Sequence, residues 1–311
     1  MHPSSTLVDS PACTNPTKQL AAAQNLRLSQ RALLLADSAP APFQLHRYPV
    51  SAGLAPWLDF HWLIEWDLPL GLTHSQRVLP YPNTHLVFEA GGTALHGVPR
   101  GVFVRQLQGR GRVHGLRFKC GGLRPWLTQP VQALSGRQLA LDEVWSWATP
   151  AVVLRTEQAV LGAASHTQAI AAAEALLFTQ LPAKLPNVDP WTERLDTAMQ
   201  RLTQDSSLTR VADLQALLGL AAGSERGLQR RFADAVGASP KWVIQRARLQ
   251  DALQALAQTQ APNLAELALR LGFCDQAHFS RCFRQTTGQT LAQYRARVAL
   301  STSKPESRSQ A

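Results

Sequence analysis

The sequence predicts an α+β protein: a small β-sandwich or barrel-like N-terminal domain, a helical linker, and an all-α C-terminal domain. Three observations carry this. Residues 43–120 hold short runs rich in Val, Phe, Trp, His and Leu, cut by Gly and Pro. Residues 191–298 keep apolar residues at helical spacing almost throughout. Between them Pro182, Pro186 and Pro190 break the pattern and mark a boundary, because proline cannot continue a helix. A chain of 311 residues has room for two such domains at about 150 residues each.

Composition narrows the function. At 45% hydrophobic residues the chain can bury a core, which excludes wholesale disorder. Only 17% of residues are charged, yet 31 Lys and Arg face 21 Asp and Glu, a net charge of +10. That excess points to an anionic partner, nucleic acid or an acidic membrane surface. No apolar run reaches the ~18 residues of a membrane span. The first residues lack the basic and apolar regions of a secretory signal. The four cysteines form no C-x-x-C pair, so neither a zinc ribbon nor a dithiol motif is expected, and reduced thiols suit the cytoplasm.

Taken in order, residues 1–42 read as a disordered tail with one short helix at 20–36, closed by Ser38-Ala39-Pro40-Ala41-Pro42. Strands are expected at 43–50, 58–66, 84–89, 100–106 and 112–119, with a bulge at Gly115 because Leu116 and Phe118 share a face that Val113 does not. The β-rich domain then spans 43–148, its last part, 121–148, helical and carrying Trp126, Trp145 and Trp147. The linker is 149–190, with one or two Ala-rich helices over 151–181. The helical domain is 191–298 and 299–311 is a polar tail. Residues 190–311 hold 16 basic and 10 acidic groups against 15 and 11 in 1–189, so the shorter, helical part is the more basic per residue.

The sharpest signal lies in Pro262–Arg295. Asn263 can cap a helix, with Glu266 reaching back in a capping box, and Leu264, Leu267, Ala268 and Leu271 form its buried stripe. Gly272 follows where a left-handed cap is expected, and Asp275 caps a second helix. Helix, glycine turn, helix is a helix-turn-helix. At about 100° per residue, Phe279 and Phe283 face the core, while Ala277, His278, Arg281 and Arg284 lie opposite, with Gln276 at the exposed start. Arginine forks there suit guanine edges or phosphates in a major groove, and glutamine suits adenine.

Leu208–Phe232 repeats the pattern. Val211, Leu214, Leu217 and Leu218 make the stripe, Gly219 breaks it, Ser224 can cap the next helix, and Leu228 and Phe232 oppose Arg226, Gln229 and Arg230. Phe232 and Phe283 hold like positions, 51 residues apart. Pro240 opens a helix to about Gln258 that bridges the two units.

The doubled motif, the phrase Gly272-Phe273-x-Asp275-Gln276-x-His278-Phe279-x-Arg281-x-Phe283 and the closing Tyr294-Arg295 resemble the AraC/XylS transcription regulators over Ser207–Arg295. The resemblance implies a seven-helix domain whose two units enter successive major grooves about 34 Å apart. Arg226, Gln229 and Arg230 match the first recognition helix of that family, and Gln276, Ala277 and Arg281 the base-facing positions of the second. One departure stands out: Leu220-Ala221-Ala222-Gly223 separate turn glycine from cap, where about two residues are usual. The second unit is therefore the expected base reader, and the first the expected phosphate holder.

In such regulators the partner domain is often a cupin-like sensor or dimeriser. Leu54–Trp145 resembles one through Leu54-x-Pro56-Trp57, Trp62, Leu79-Pro80, Leu86-Val87-Phe88 and Gly115-x-Arg117-Phe118. The implied partners are double-stranded DNA, a small-molecule effector or a second copy of the chain, and RNA polymerase if the effect is activation. No membrane partner, cofactor, metal site or catalytic residue is expected. A metal-binding cupin would need H-x-H plus a carboxylate, and no H-x-H occurs; His85 and Glu89 share a face but are too few, and His61 and His114 are far apart in sequence. The basic run Arg100, Arg105, Arg110, Arg112, Arg117 and Lys119 reads as a solvated face, an anionic-effector pocket or extra phosphate contacts. Trp57, Trp62 and Trp66 read as core before ligand cavity. The alternatives are a regulator whose N-terminal domain only dimerises and, remotely, a cupin-type enzyme with a helical accessory domain.

Overall fold

The computed structural model describes residues 42–180, 189–221, 223–258, 260 and 262–302. All but the last residue of the expected tail at 1–42, its helix at 20–36, most of the proline boundary and the end of the polar tail lie outside the described residues.

Among the described residues, eight strands build two antiparallel sheets: β1 (Phe43–Pro49), β2 (Leu58–Asp67), β3 (Thr73–Val78), β4 (His85–Phe88), β5 (Ala94–His96), β6 (Phe103–Gln108), β7 (Arg110–Phe118) and β8 (Gln138–Ala140). The larger sheet runs β1-β2-β7-β4-β5-β8, and β3 pairs only with β6 as a ribbon. The ribbon lies over one face of the sheet. There Phe43 meets His74 at 6.0 Å between ring centres, His96 meets Phe103 at 6.5 Å, and Trp66 Nε1 donates to Gln108 O at 3.1 Å.

Residues 121–148, expected to be helical, are mostly not. They contain single turns at Arg124–Trp126 and Val131–Leu134, the strand β8, and one short helix, α1 (Leu141–Val144). Pro125, Pro130 and the glycines at 121, 122 and 136 interrupt any longer helix. β3, β5 and β8 were not expected. β3 reads Thr-His-Ser-Gln-Arg-Val and lacks the apolar run that signals a strand. The bulge expected at Gly115 is absent; the ladder shifts instead between Leu58 and Phe60. Gly115 has a different reason. A Cβ there would stand 2.1 Å from the Trp62 ring, so glycine lets the indole lie flat across β7.

Helices α2 (Pro150–Leu161) and α3 (His166–Gln180) cover the other face of the sheet. Thr149 caps α2 and Gly162 ends it. Val160, Ala169, Ala173, Leu176 and Leu177 join Leu63, Leu86, Phe88, Leu116 and Phe118 in one core, so the two helices of the expected linker pack on the sheet. At about 25 cal/mol per Å2 of apolar area, such a face is worth several kcal/mol.

From Asp189 to Thr302 the described residues form helices and their connections: α4 (Pro190–Gln204), α5 (Val211–Leu217), α6 (Glu225–Ala235), α7 (Pro240–Leu256), α8 (Leu264–Arg270), α9 (Gln276–Thr287) and α10 (Leu291–Thr302). Asp189 caps α4 through Trp191 N at 3.1 Å. Ser239 caps α7, with Pro240 in the first turn. α7 is the keystone. Its Val243 and Ile244 pack with Leu195, Leu214, Leu228 and Phe232, and its Leu249, Ala252, Leu253 and Leu256 pack with Leu267, Phe279 and Phe283. With 17 residues at 1.5 Å rise it is about 25 Å long, and its first half packs in one core and its second half in the other.

Candidate nucleic-acid interface

In the second unit, Asn263 Oδ1 accepts from Ala265 N at 2.9 Å and Glu266 N at 3.4 Å, so its half of the expected capping box forms. Gly272 has φ +73°, and a Cβ there would stand 2.7 Å from Thr209, so the turn requires glycine twice over. Asp275 Oδ1 accepts from His278 N at 2.6 Å and fixes the start of α9.

Phe279 and Phe283 are fully buried, and Gln276, Ala277, Arg281 and Arg284 are exposed. The geometry thus separates the packing face from the basic face as the sequence expects. His278 is the exception among the expected contacts. It is half-buried, its ring edge-on to Phe273 at 5.4 Å, so part of it supports the turn.

In the first unit, Leu228 and Phe232 are buried, and Arg226, Gln229 and Arg230 are exposed. Asp213 accepts from Thr209 N at 2.9 Å and Arg210 N at 2.8 Å, which ties down the start of α5. The expected cap at Ser224 does not form. Its Oγ donates to Ala221 O at 2.8 Å and accepts from Gln215 Nε2 at 3.3 Å. The lengthened turn uses up the hydroxyl inside itself and leaves the first N–H groups of α6 without it. These N–H groups, with the positive end of the helix, suit a phosphate.

Sequence reading missed the residues that brace the second turn. Arg248, on α7, donates through Nε to Leu271 O and lays its guanidinium over the Phe273 ring at 3.8 Å from the centroid. Burial lowers its pKa from the usual arginine value. Tyr294 packs on Phe283 at 5.8 Å, and burial pushes its hydroxyl up to about 12.

It also missed a set of contacts between the domains. Arg77, on β3, donates to Thr287 O at the end of α9 at 2.7 Å. Ser135 donates to Gly237 O, just past α6, at 2.5 Å, and Arg124 pairs with Asp234 at 2.8 Å. Gln250 donates to Leu79 O at 3.2 Å, and Leu79 is itself buried in the core of the second unit. Arg246, 2% exposed against Trp242, has its pKa lowered to about 10 by burial. The β-domain therefore grips the C-terminal ends of both recognition helices, and a cation at a helix C-terminus is favourable.

On the helix-covered face of the β-domain, His61 and His114, far apart in sequence, meet. Nδ1 of His61 lies 2.9 Å from Nε2 of His114, and His61 Nε2 lies 3.1 Å from Glu174. Glu174 also accepts from Ser51 N at 2.8 Å. Both imidazoles are buried; burial, then neighbouring positive groups, lowers His114 to about 3. No spacing rule finds this chain, because its members sit on three elements.

Residues 217–297 match the family model described as a helix-turn-helix domain, and residues 46–140 match a domain of unknown function. The ornithine utilization regulator of Pseudomonas aeruginosa is 42% identical over 66 residues. That match covers 21% of this chain and 19% of the relative, so the chain spans about a fifth of the length of that relative. Among solved structures, an AraC-type transcriptional regulator from Chromobacterium violaceum is 26% identical, covers 35% of this chain and 91% of its own, and has a TM-score of 0.28. ToxT from Vibrio cholerae is 11% identical, covers 83% and 99%, and has a TM-score of 0.35.

Proposed function

We propose that this chain, whose C-terminal domain is a DNA-binding helix-turn-helix domain of the AraC type, acts as a whole as a sequence-specific transcription regulator controlled by its β-domain. The observation that carries the reading is α9: an exposed face of Gln276, Ala277, Arg281 and Arg284 backed by fully buried Phe279 and Phe283. Such a helix presents donors to base edges while its packing fixes their direction. Arg226, Gln229 and Arg230 on α6 hold phosphate or read a second site.

Control passes through the contacts from β3 and the 124–135 turns to α6 and α9. A ligand shifts DNA affinity only if it binds one domain arrangement better than the other. The sheet face toward the ribbon holds Arg47 and Arg117 over the Phe60 ring at 5.7 and 5.1 Å, with Arg117 paired to Asp59 at 3.2 Å. That chemistry favours an anionic small molecule as effector. The site of action is the cytoplasm, where the DNA is.

The test is selection of bound sequences from a random DNA pool by the full-length protein at physiological salt. Enrichment of at least one short motif, lost in Arg281→Ala, is the expected result. Binding without enrichment would overturn sequence-specific reading.

A further inference from the structure

Beside its apolar core, the face of the large sheet beneath α2 and α3 carries a polar group. On β1, His46 and Tyr48 point to it; on β2, His61 and Glu65; on β7, Arg112 and His114. The register sets this, pairing His46 with Leu63, Tyr48 with His61, Leu63 with His114 and Glu65 with Arg112. Residues paired across strands share a face, so Glu65, two along from Leu63, stands diagonal to His46. α3 closes the group from above with its first residue, His166.

We infer that His46, Glu65 and His166 form a binding site for a divalent first-row transition cation of the zinc class. One ligand atom from each lies within 4.8 Å of the others. A tetrahedral ion with bonds of about 2.0–2.1 Å holds its ligand atoms somewhat closer, a contraction that small side-chain rotations supply.

The surrounding residues orient these ligands. Arg112 donates through Nε at 2.7 Å, and approaches with Nη2 at 2.6 Å, always to Oε1 of Glu65. Oε2 is thereby left facing Nε2 of His166, 3.0 Å away. The other nitrogen of His166, Nδ1, lies 2.7 Å from the Tyr48 hydroxyl. A ligand histidine held through its far nitrogen, beside a carboxylate held through its far oxygen, is the outer-shell arrangement of metal sites. With the cation on Nε2, the one N–H of the neutral His166 ring sits on Nδ1, facing the Tyr48 oxygen.

Two imidazoles and one carboxylate suit zinc, iron or nickel rather than the oxygen-seeking calcium or magnesium, and leave a coordination position open. Arg112 also donates to Leu161 O and Ala163 O, at 3.2 and 3.0 Å, in the turn between α2 and α3. Occupancy would therefore pin two strands to the start of α3. The site lies wholly in the β-domain and does not rest on the DNA-binding reading.

The experiment titrates Zn2+ into the full-length protein against a chromophoric chelator, and records the visible spectrum with Co2+. A single stoichiometric site is expected, lost in His46→Gln/His166→Gln. Tyr48→Phe, which touches no metal, should weaken it by about 10–100-fold. Co2+ should give nitrogen and oxygen ligand-field bands without thiolate charge transfer. Circular dichroism and thermal unfolding confirm that the variants fold. If the double variant does not fold, Tyr48→Phe decides alone. Zn2+ affinity equal in wild type and Tyr48→Phe, binding that survives the double substitution, a thiolate band, or no stoichiometric binding at micromolar Zn2+ would each overturn the site.

Discussion

After α5, the N–H of Gly219 bonds Ala216 O at 3.0 Å and that of Leu220 bonds Gln215 O at 2.9 Å; after α8, Gly272 bonds Leu269 O and Phe273 bonds Ala268 O, both at 2.9 Å. The two units thus leave their first helices by the same pair of bonds and the same left-handed glycine, φ +66° and +73°. They then diverge. Four residues separate Gly219 from Ser224 and two separate Gly272 from Asp275. Asp275 reaches the His278 N–H, whereas Ser224 turns back into its own loop. Arg248 and Thr209 brace the second turn from outside. The lesson is that one scaffold holds two recognition helices with unequal firmness. A base-reading side chain needs a fixed direction, while a phosphate contact tolerates a looser one.

The largest effects should be alike in both units, because the cores are alike. Phe283→Ala and Phe232→Ala each empty a fully buried site, and each should cost about 3–5 kcal/mol in denaturant unfolding. A loss under 1 kcal/mol for Phe232→Ala alone would mean that the first core is already loose.

Reading should separate the units. Arg281→Ala is expected to cost about 1–3 kcal/mol on the selected site and much less on random DNA. Arg230→Ala should weaken both equally and lower the salt slope by about 1. Equal losses on both DNAs for Arg281→Ala would remove the distinction. Deleting Ala221 and Ala222, which matches the two turn lengths, should add a second enriched motif.

Caps give a smaller contrast. Asp275→Ala should cost about 1 kcal/mol, since it strips a working cap. Ser224→Ala should cost less, since no cap is lost; thermal melts of the two variants decide it. The smallest effect is expected from Arg124→Ala. Its ion pair with Asp234 is 34% and 43% exposed, and such pairs contribute about 0–1 kcal/mol. Any change should appear in the first unit's DNA affinity before it appears in stability.

The helical domain was far more legible in the sequence than the β-domain, for a physical reason. Helix stripes, caps and turn glycines are local, so Leu267, Gly272, Asp275 and Phe279 announce themselves within a dozen residues. Short polar strands such as β3 are stabilised by partners elsewhere, and nothing in Thr73–Val78 names them. The same holds for the brace at Arg248, the grip at Arg77 and Ser135, and the cluster of His46, Glu65 and His166. Each joins elements distant in the chain, and no period or motif encodes that. The expected cap at Ser224 failed because the inserted turn offered its hydroxyl a nearer carbonyl.

Gripping α6 and α9 at their C-terminal ends from one β-domain has a consequence for the DNA. Adding a single base pair between two half-sites rotates one relative to the other by about 34–36° and shifts it by about 3.4 Å. A pair of units joined by α7 alone could absorb some of that by flexing. With Arg77 and Ser135 fastening both units to a common plate, DNA that engages both units is expected to bind more weakly when one base pair is inserted between their sites.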